Sequence, residues 1–102
     1  MIIEINEQGY NSLYPASPKL IEFHSKKCGP CKMLSFVLRE INEQKSDFPI
    51  YVIDFDGNRM LAERLGVKGF PTMLFFRDGK EVNRLEGLQQ KPAIIKAIEA
   101  IA

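Results

Sequence analysis

Ile2, Ile3 and Ile5 predict a short opening strand, and Asn6 is placed to cap a brief helix that must end by Pro15. A loop spans residues 15–18. Residues 19–25, Lys-Leu-Ile-Glu-Phe-His-Ser, read as a strand with Ile21 and Phe23 on one face and Leu20, Glu22 and His24 on the other. Over residues 32–43, Met33, Leu34, Val37, Leu38 and Ile41 recur at helical spacing against a polar side of Arg39, Glu40, Asn42 and Glu43. The nearly unbroken run Ile50-Tyr51-Val52-Ile53 suits a central parallel strand buried on both faces. Asn58 is expected to cap a helix running through Leu65 and ended by Gly66, after which Thr72-Met73-Leu74-Phe75-Phe76 makes another strand. Asp78-Gly79 turns the chain into a return strand from Val82 to Leu85. Pro92 opens a last helix whose Ile94, Ile95, Ile98 and Ile101 belong to the core.

The element order is therefore βαβαβαββα. Alternating strands and helices imply an α/β sandwich, with one mixed sheet covered by helices on both faces and an antiparallel portion at the edge made by the hairpin. A chain of 102 residues, 45% hydrophobic and 26% charged, suits one domain over residues 1–102 with a single sizeable core. Fourteen basic residues against thirteen acidic leave a formal charge of +1, too little for a field that grips nucleic acid or an anionic membrane. The first residues carry no basic start, apolar stretch or cleavage site of a secretory leader, which points to the cytoplasm. No apolar run approaches the roughly 18 residues of a membrane helix.

The two cysteines stand in Cys28-Gly29-Pro30-Cys31-Lys32, where a strand has ended and a helix is starting. Unpaired backbone N–H groups and the positive end of the helix dipole there favour a thiolate, which is the nucleophile of thiol/disulfide exchange. Cys28 is expected to attack. Cys31, one turn inward and more shielded, is placed to resolve the mixed disulfide that Cys28 forms. Gly29 permits close approach of another backbone, and Pro30 suits a first helical turn because its missing N–H would have been unpaired anyway.

Leu20-Ile21-Glu22-Phe23, Cys28-Gly29-Pro30-Cys31-Lys32-Met33 and Gly69-Phe70-Pro71-Thr72 together resemble the thioredoxin family over essentially the whole chain. The resemblance implies a thioredoxin-like three-layer sandwich and a cofactor-free, monomeric reductant of protein disulfides, recharged by a thioredoxin reductase. It further implies a cis Pro71 packed against the sulfurs, Phe70 offering backbone hydrogen bonds to an extended substrate segment, and Gly87 in a loop beside that groove. Backbone pairing of this kind suits many substrates. Glu22 occupies the place of the family's buried aspartate and is expected to handle the proton on Cys31. The sequence departs from the family pattern in having no tryptophan. His24 and Lys27 stand at two positions usually held by it, Val52 replaces a lysine on the central strand, and Phe36 replaces a proline in the active-site helix.

Other readings of the same residues carry less. A structural bridge across so short a loop removes little chain entropy. Tetrahedral zinc wants four ligands where two cysteines and one histidine are on offer, so no metal is expected. His24 is read as a surface residue filling the space left by tryptophan, and Lys26, Lys27, Lys32 and Lys68 as a possible basic rim near Cys28. The rival function is a redox-inert thioredoxin-like binding module or subunit of a larger assembly.

Overall fold

The computed structural model describes residues 1–102. Four segments of alternating or continuous apolar character and one hairpin return become five strands: β1 Ile2–Ile5, β2 Lys19–His24, β3 Ile50–Asp54, β4 Thr72–Arg77 and β5 Lys80–Glu86. The helices are α1 Glu7–Asn11, α2 Gly29–Gln44, α3 Arg59–Arg64 and α4 Lys91–Glu99. The strands form one mixed sheet in the order β1-β3-β2-β4-β5. β3 runs parallel to both β1 and β2, while β4 is antiparallel to β2 and to β5. This is the thioredoxin-like α/β architecture.

Alternation along β2 divides the interior in two. Leu20 joins Leu34, Leu38 and Ile41 of α2, Met73 and Phe75 of β4, and Ile94 and Ile98 of α4 on one face of the sheet. Ile21 and Phe23 join Ile53, Leu61, Ala62, Val67 and Leu74 on the other. Each fully buried Leu, Ile or Phe contributes about 1.5–3 kcal/mol relative to exposure, so these two layers dominate the stabilisation. Lys19, at the start of β2, is buried, and its ammonium donates to the Tyr14 and Pro15 carbonyls at 2.9 and 3.4 Å. Burial pulls its pKa below the usual lysine value.

The structure departs from the sequence-based expectations in three places. β2, not β3, is the middle strand, and Tyr51 and Val52, which project to opposite faces of β3, are only partly buried. α2 starts at the cysteines as expected, at Gly29 with Cys28 as its N-cap. Its buried stripe is Cys31, Leu34, Leu38 and Ile41, spaced three, four and three. Met33 lies about 100° around the helix from Leu34 and is 59% exposed, so it is not core. Asn58 takes the expected N-cap position of α3, but its side chain makes no capping bond; it accepts from the Glu7 N–H at 2.9 Å and donates to the Asp54 carbonyl at 2.9 Å, tying α1 to the end of β3. The Asp78-Gly79 turn forms as expected, with φ of 53° and 80° at its two residues, the left-handed pair that a tight hairpin demands.

Candidate active site

β2 ends at His24, and the chain then makes a short turn before α2. The Cys28 N–H donates to the Ser25 carbonyl at 3.3 Å, and the Ser25 hydroxyl donates to Asp56 Oδ2 at 2.7 Å, which anchors the turn to the loop after β3. The turn delivers Cys28 to the N-cap of α2 in an extended conformation. Its sulfur accepts from the Cys31 N–H at 3.1 Å, the position ordinarily filled by a Ser, Thr or Asp side chain. The first turn of α2 contains no acidic residue. The sulfur of Cys28 is therefore the group on which the helix's unpaired N–H groups and positive end act, and a thiolate there is a better acceptor than a thiol.

Cys28 and Cys31 are joined as a disulfide, with Cα atoms 5.2 Å apart, inside the ordinary range for such bridges. Their exposure differs: Cys28 is partly exposed, whereas Cys31 is 4% exposed and packs with the α2 stripe. Gly29 and Pro30 lie exposed between them as the first two residues of the helix, and a side chain at Gly29 would meet nothing within 4 Å. The Phe70 carbonyl sits 4.0 Å from Cys28 Sγ, a contact, since a disulfide sulfur has no proton to donate.

Phe70 and Pro71 are joined by a cis peptide bond, as the family resemblance implied. Pro71 is buried, and the half-exposed Phe70 ring packs edge-on against Phe55 at 5.3 Å. The Gly87 N–H donates to the Pro71 carbonyl at 2.8 Å, so the loop after β5 does lie against this segment. Gly87 adopts φ of 81°, a left-handed conformation that side chains resist. Six of the expected site residues, the two cysteines, Gly29, Pro30, Phe70 and Pro71, thus meet at one end of the sheet, with Gly87 behind the proline.

Glu22 lies on the other side of the cysteines. It is 3% exposed on the middle strand, between Val52 and Met73, and it shares with Cys28 and Cys31 a cavity of about 370 Å³. Burial pushes its carboxyl above the usual glutamate value, opposed by its contact with His24. The expectation that His24 is merely a surface residue is corrected here. Residues two apart on a strand share a face, and His24 Nδ1 sits 3.5 Å from Glu22 Oε1 with only 22% of the side chain exposed. Glu22 holds the imidazole above its ordinary value against the opposing effect of burial. The i, i+2 spacing was visible in the sequence; what concealed the pairing was reading His24 as a replacement for a surface tryptophan. Lys26 and Lys32 line the same cavity. The Ser25 hydroxyl, then Arg59 and last Lys27, hold the Asp56 carboxyl below its usual value.

No helix is long and apolar enough to cross a membrane. The thioredoxin family model matches residues 2–100. A thioredoxin of Chlamydia caviae is 37% identical over 98 residues, which cover 96% of each chain. The bifunctional thioredoxin reductase/thioredoxin of Mycobacterium leprae is 32% identical over 102 residues, spanning 97% of this chain and 22% of that protein. Among solved structures, a thioredoxin variant from Halobacterium salinarum superposes with a TM-score of 0.89 at 32% identity, covering 98% of this chain and 89% of the other. A redox-inert module is not favoured beside a paired Cys-X-X-Cys at the head of α2. On this sequence match, this architecture and this disulfide, the chain belongs to the thioredoxin family and is a thiol/disulfide oxidoreductase acting on protein disulfides.

Proposed function

We propose that Cys28 is the attacking thiol and Cys31 the resolving one, with Glu22 as the acid/base for Cys31. The observation that carries this division is the unequal setting of the two sulfurs. Cys28 is partly exposed and caps α2, while Cys31 is buried against the cavity that holds Glu22. The Cys28 thiolate attacks one sulfur of a substrate disulfide, and the second substrate sulfur leaves with the electron pair. Cys31 then loses its proton to the Glu22 carboxylate and attacks Cys28 Sγ. The Cys28–substrate bond breaks, the substrate leaves as a thiolate and the protein is left with the Cys28–Cys31 disulfide. Two electrons pass from the protein dithiol to the substrate in one cycle.

Phe70, Pro71 and Gly87 are the docking edge for an extended substrate segment in this reading. It is supported by the exposed Phe70 backbone beside Cys28 and by the Gly87–Pro71 hydrogen bond that holds the edge in place. Backbone pairing along such an edge selects for extended, accessible disulfides more than for particular side chains. A thioredoxin reductase restores the dithiol; the fusion of the two activities in the Mycobacterium leprae relative supports that pairing. The chain works as a single-domain monomer in the cytoplasm, without a cofactor. Insulin reduction by dithiothreitol tests the activity: the protein should speed the precipitation of the insulin chains well above the uncatalysed rate, and a Cys28→Ser variant should fall to that of buffer. A wild-type protein no faster than buffer would contradict the reading.

A further inference from the structure

Beside the cysteines the cavity is walled by a carboxyl and an imidazole from the same strand. His24 Nδ1 is buried and has no hydrogen-bond partner within the fold, and the one carboxylate within ion-pair distance is Glu22 Oε1 at 3.5 Å. The opposite strand position, Val52, offers neither charge nor hydrogen bond. The rest of the His24 side chain, 22% exposed, reaches toward solvent, whereas the Glu22 side chain is 4% exposed. The groups bearing on this pair are Glu4 from β1, Asp54 from β3, Lys26 from the turn, and Lys32 and Arg39 from α2. The two nearest to His24 by their effect, Glu4 and Asp54, are acids that favour an imidazolium.

Resting on the reading of Glu22 as the acid/base for Cys31, we propose that His24 is its positioning partner and proton outlet, so that the two side chains operate as one unit. With a single proton on the pair, an imidazolium at His24 holds Glu22 as the carboxylate that accepts the Cys31 proton. Glu22 then carries that proton while His24 releases one of its own to solvent through its exposed edge. Exchange of the neutral imidazole to the Nε2–H tautomer frees Nδ1, and transfer from Glu22 to Nδ1 restores the imidazolium and carboxylate. One proton enters from Cys31 and one leaves to water, so the unit is unchanged after each turnover. Burial favours the protonated form of Glu22, which cannot accept, and His24 is the group that opposes it.

The chain contains one histidine, so its imidazole resonance is unambiguous in an NMR titration. In the reduced protein the midpoint of His24 should lie above that of an ordinary histidine and should fall by about one pH unit in Glu22→Gln, the effect of losing a close carboxylate. An unchanged midpoint overturns the pairing. The second measurement is the pH profile of mixed-disulfide release, followed by stopped flow with a chromophoric leaving thiol. In His24→Gln, which keeps a polar side chain but cannot titrate, the rising limb should move up by about one pH unit as Glu22 loses its cation. A His24→Gln profile that superposes on wild type, with Glu22→Gln slowed, overturns the role of His24 and leaves that of Glu22 standing. Wild-type release in Glu22→Gln at every pH overturns both. The rate of Cys28 alkylation in each variant reports whether the active-site end remains folded.

Discussion

Arg84→Met should destabilise the protein by about 2 kcal/mol, although Arg84 sits on the edge strand β5 and is far from the core. Its guanidinium spans from β5 to the end of α3, where Nη1 donates to the Gly66 carbonyl at 2.9 Å and Nη2 to the Leu65 carbonyl at 2.7 Å. Nε and Nη2 also face the two oxygens of Glu81 at 2.6 and 2.8 Å. The last carbonyls of a helix have no partner within it, so these two bonds fill a standing vacancy. The Gly66 bond is exposed, and water replaces most of it at a cost of about 0.5 kcal/mol. The Leu65 bond is part-buried; removing its charged donor costs about 1–1.5 kcal/mol. The Glu81 pair, at the surface, adds about 0.5 kcal/mol or less. Urea denaturation followed by far-ultraviolet circular dichroism should show the midpoint lowered with an unchanged slope, and thermal melting should fall by roughly 10 °C. Arg84→Lys presents one point charge instead of a planar fork and should recover less than half of the loss. A loss below about 0.5 kcal/mol in the Met variant, or full recovery by Lys, would refute the assignment of the stabilisation to a two-carbonyl clamp.

Glu22→Gln should become increasingly more stable than wild type as pH rises. The folded carboxyl value of Glu22 lies above its ordinary 4.5, so wild type has its full stability below that pH and loses it as pH rises through the folded value. His24, raised from 6.5 by Glu22, contributes in the same sense, since its stabilisation is present below 6.5 and is lost as pH rises through its own folded value. Urea midpoints measured from pH 4 to pH 9 should diverge in favour of Glu22→Gln, and parallel curves would remove the argument. Gly66→Ala should cost about 1–2 kcal/mol because its φ is 70°, a conformation that strains any Cβ. Gly29→Ala, in helical conformation with open space around the new methyl, should be neutral or slightly stabilising in the same melts.

Much of the fold was legible because strong periodicities coincide with clear stops. The Asp78-Gly79 turn, the 94, 95, 98, 101 isoleucines and the alternation of residues 20–24 each found the expected partner. The helix after Cys28 was legible in kind but not in phase. Apolar residues at 33, 34, 37, 38 and 41 admit two neighbouring stripes, and only packing on the sheet and α4 decides that Leu34, Leu38 and Ile41 go inward. The order of strands was the less legible part. An unbroken run such as 50–53 signals burial, but whether it sits in the middle or next to an edge depends on pairings with residues nearly 50 positions away. The cysteine pair stood out by local spacing, and the Phe70-Pro71 and Gly87 elements through family resemblance. Asn58 and Arg84 act through contacts with main chain from distant segments, which no local pattern announces.

The division of labour between the two sulfurs is tested most directly by trapping. Reduced Cys31→Ser and Cys28→Ser variants are mixed with insulin, quenched with acid and weighed intact by mass spectrometry without reductant. Cys31→Ser should accumulate a covalent adduct with an insulin chain through Cys28, because attack proceeds and resolution cannot, while Cys28→Ser should carry little or none. Equal trapping by the two variants, or adducts found chiefly on Cys31, would contradict the assignment of Cys28 as the attacking thiol.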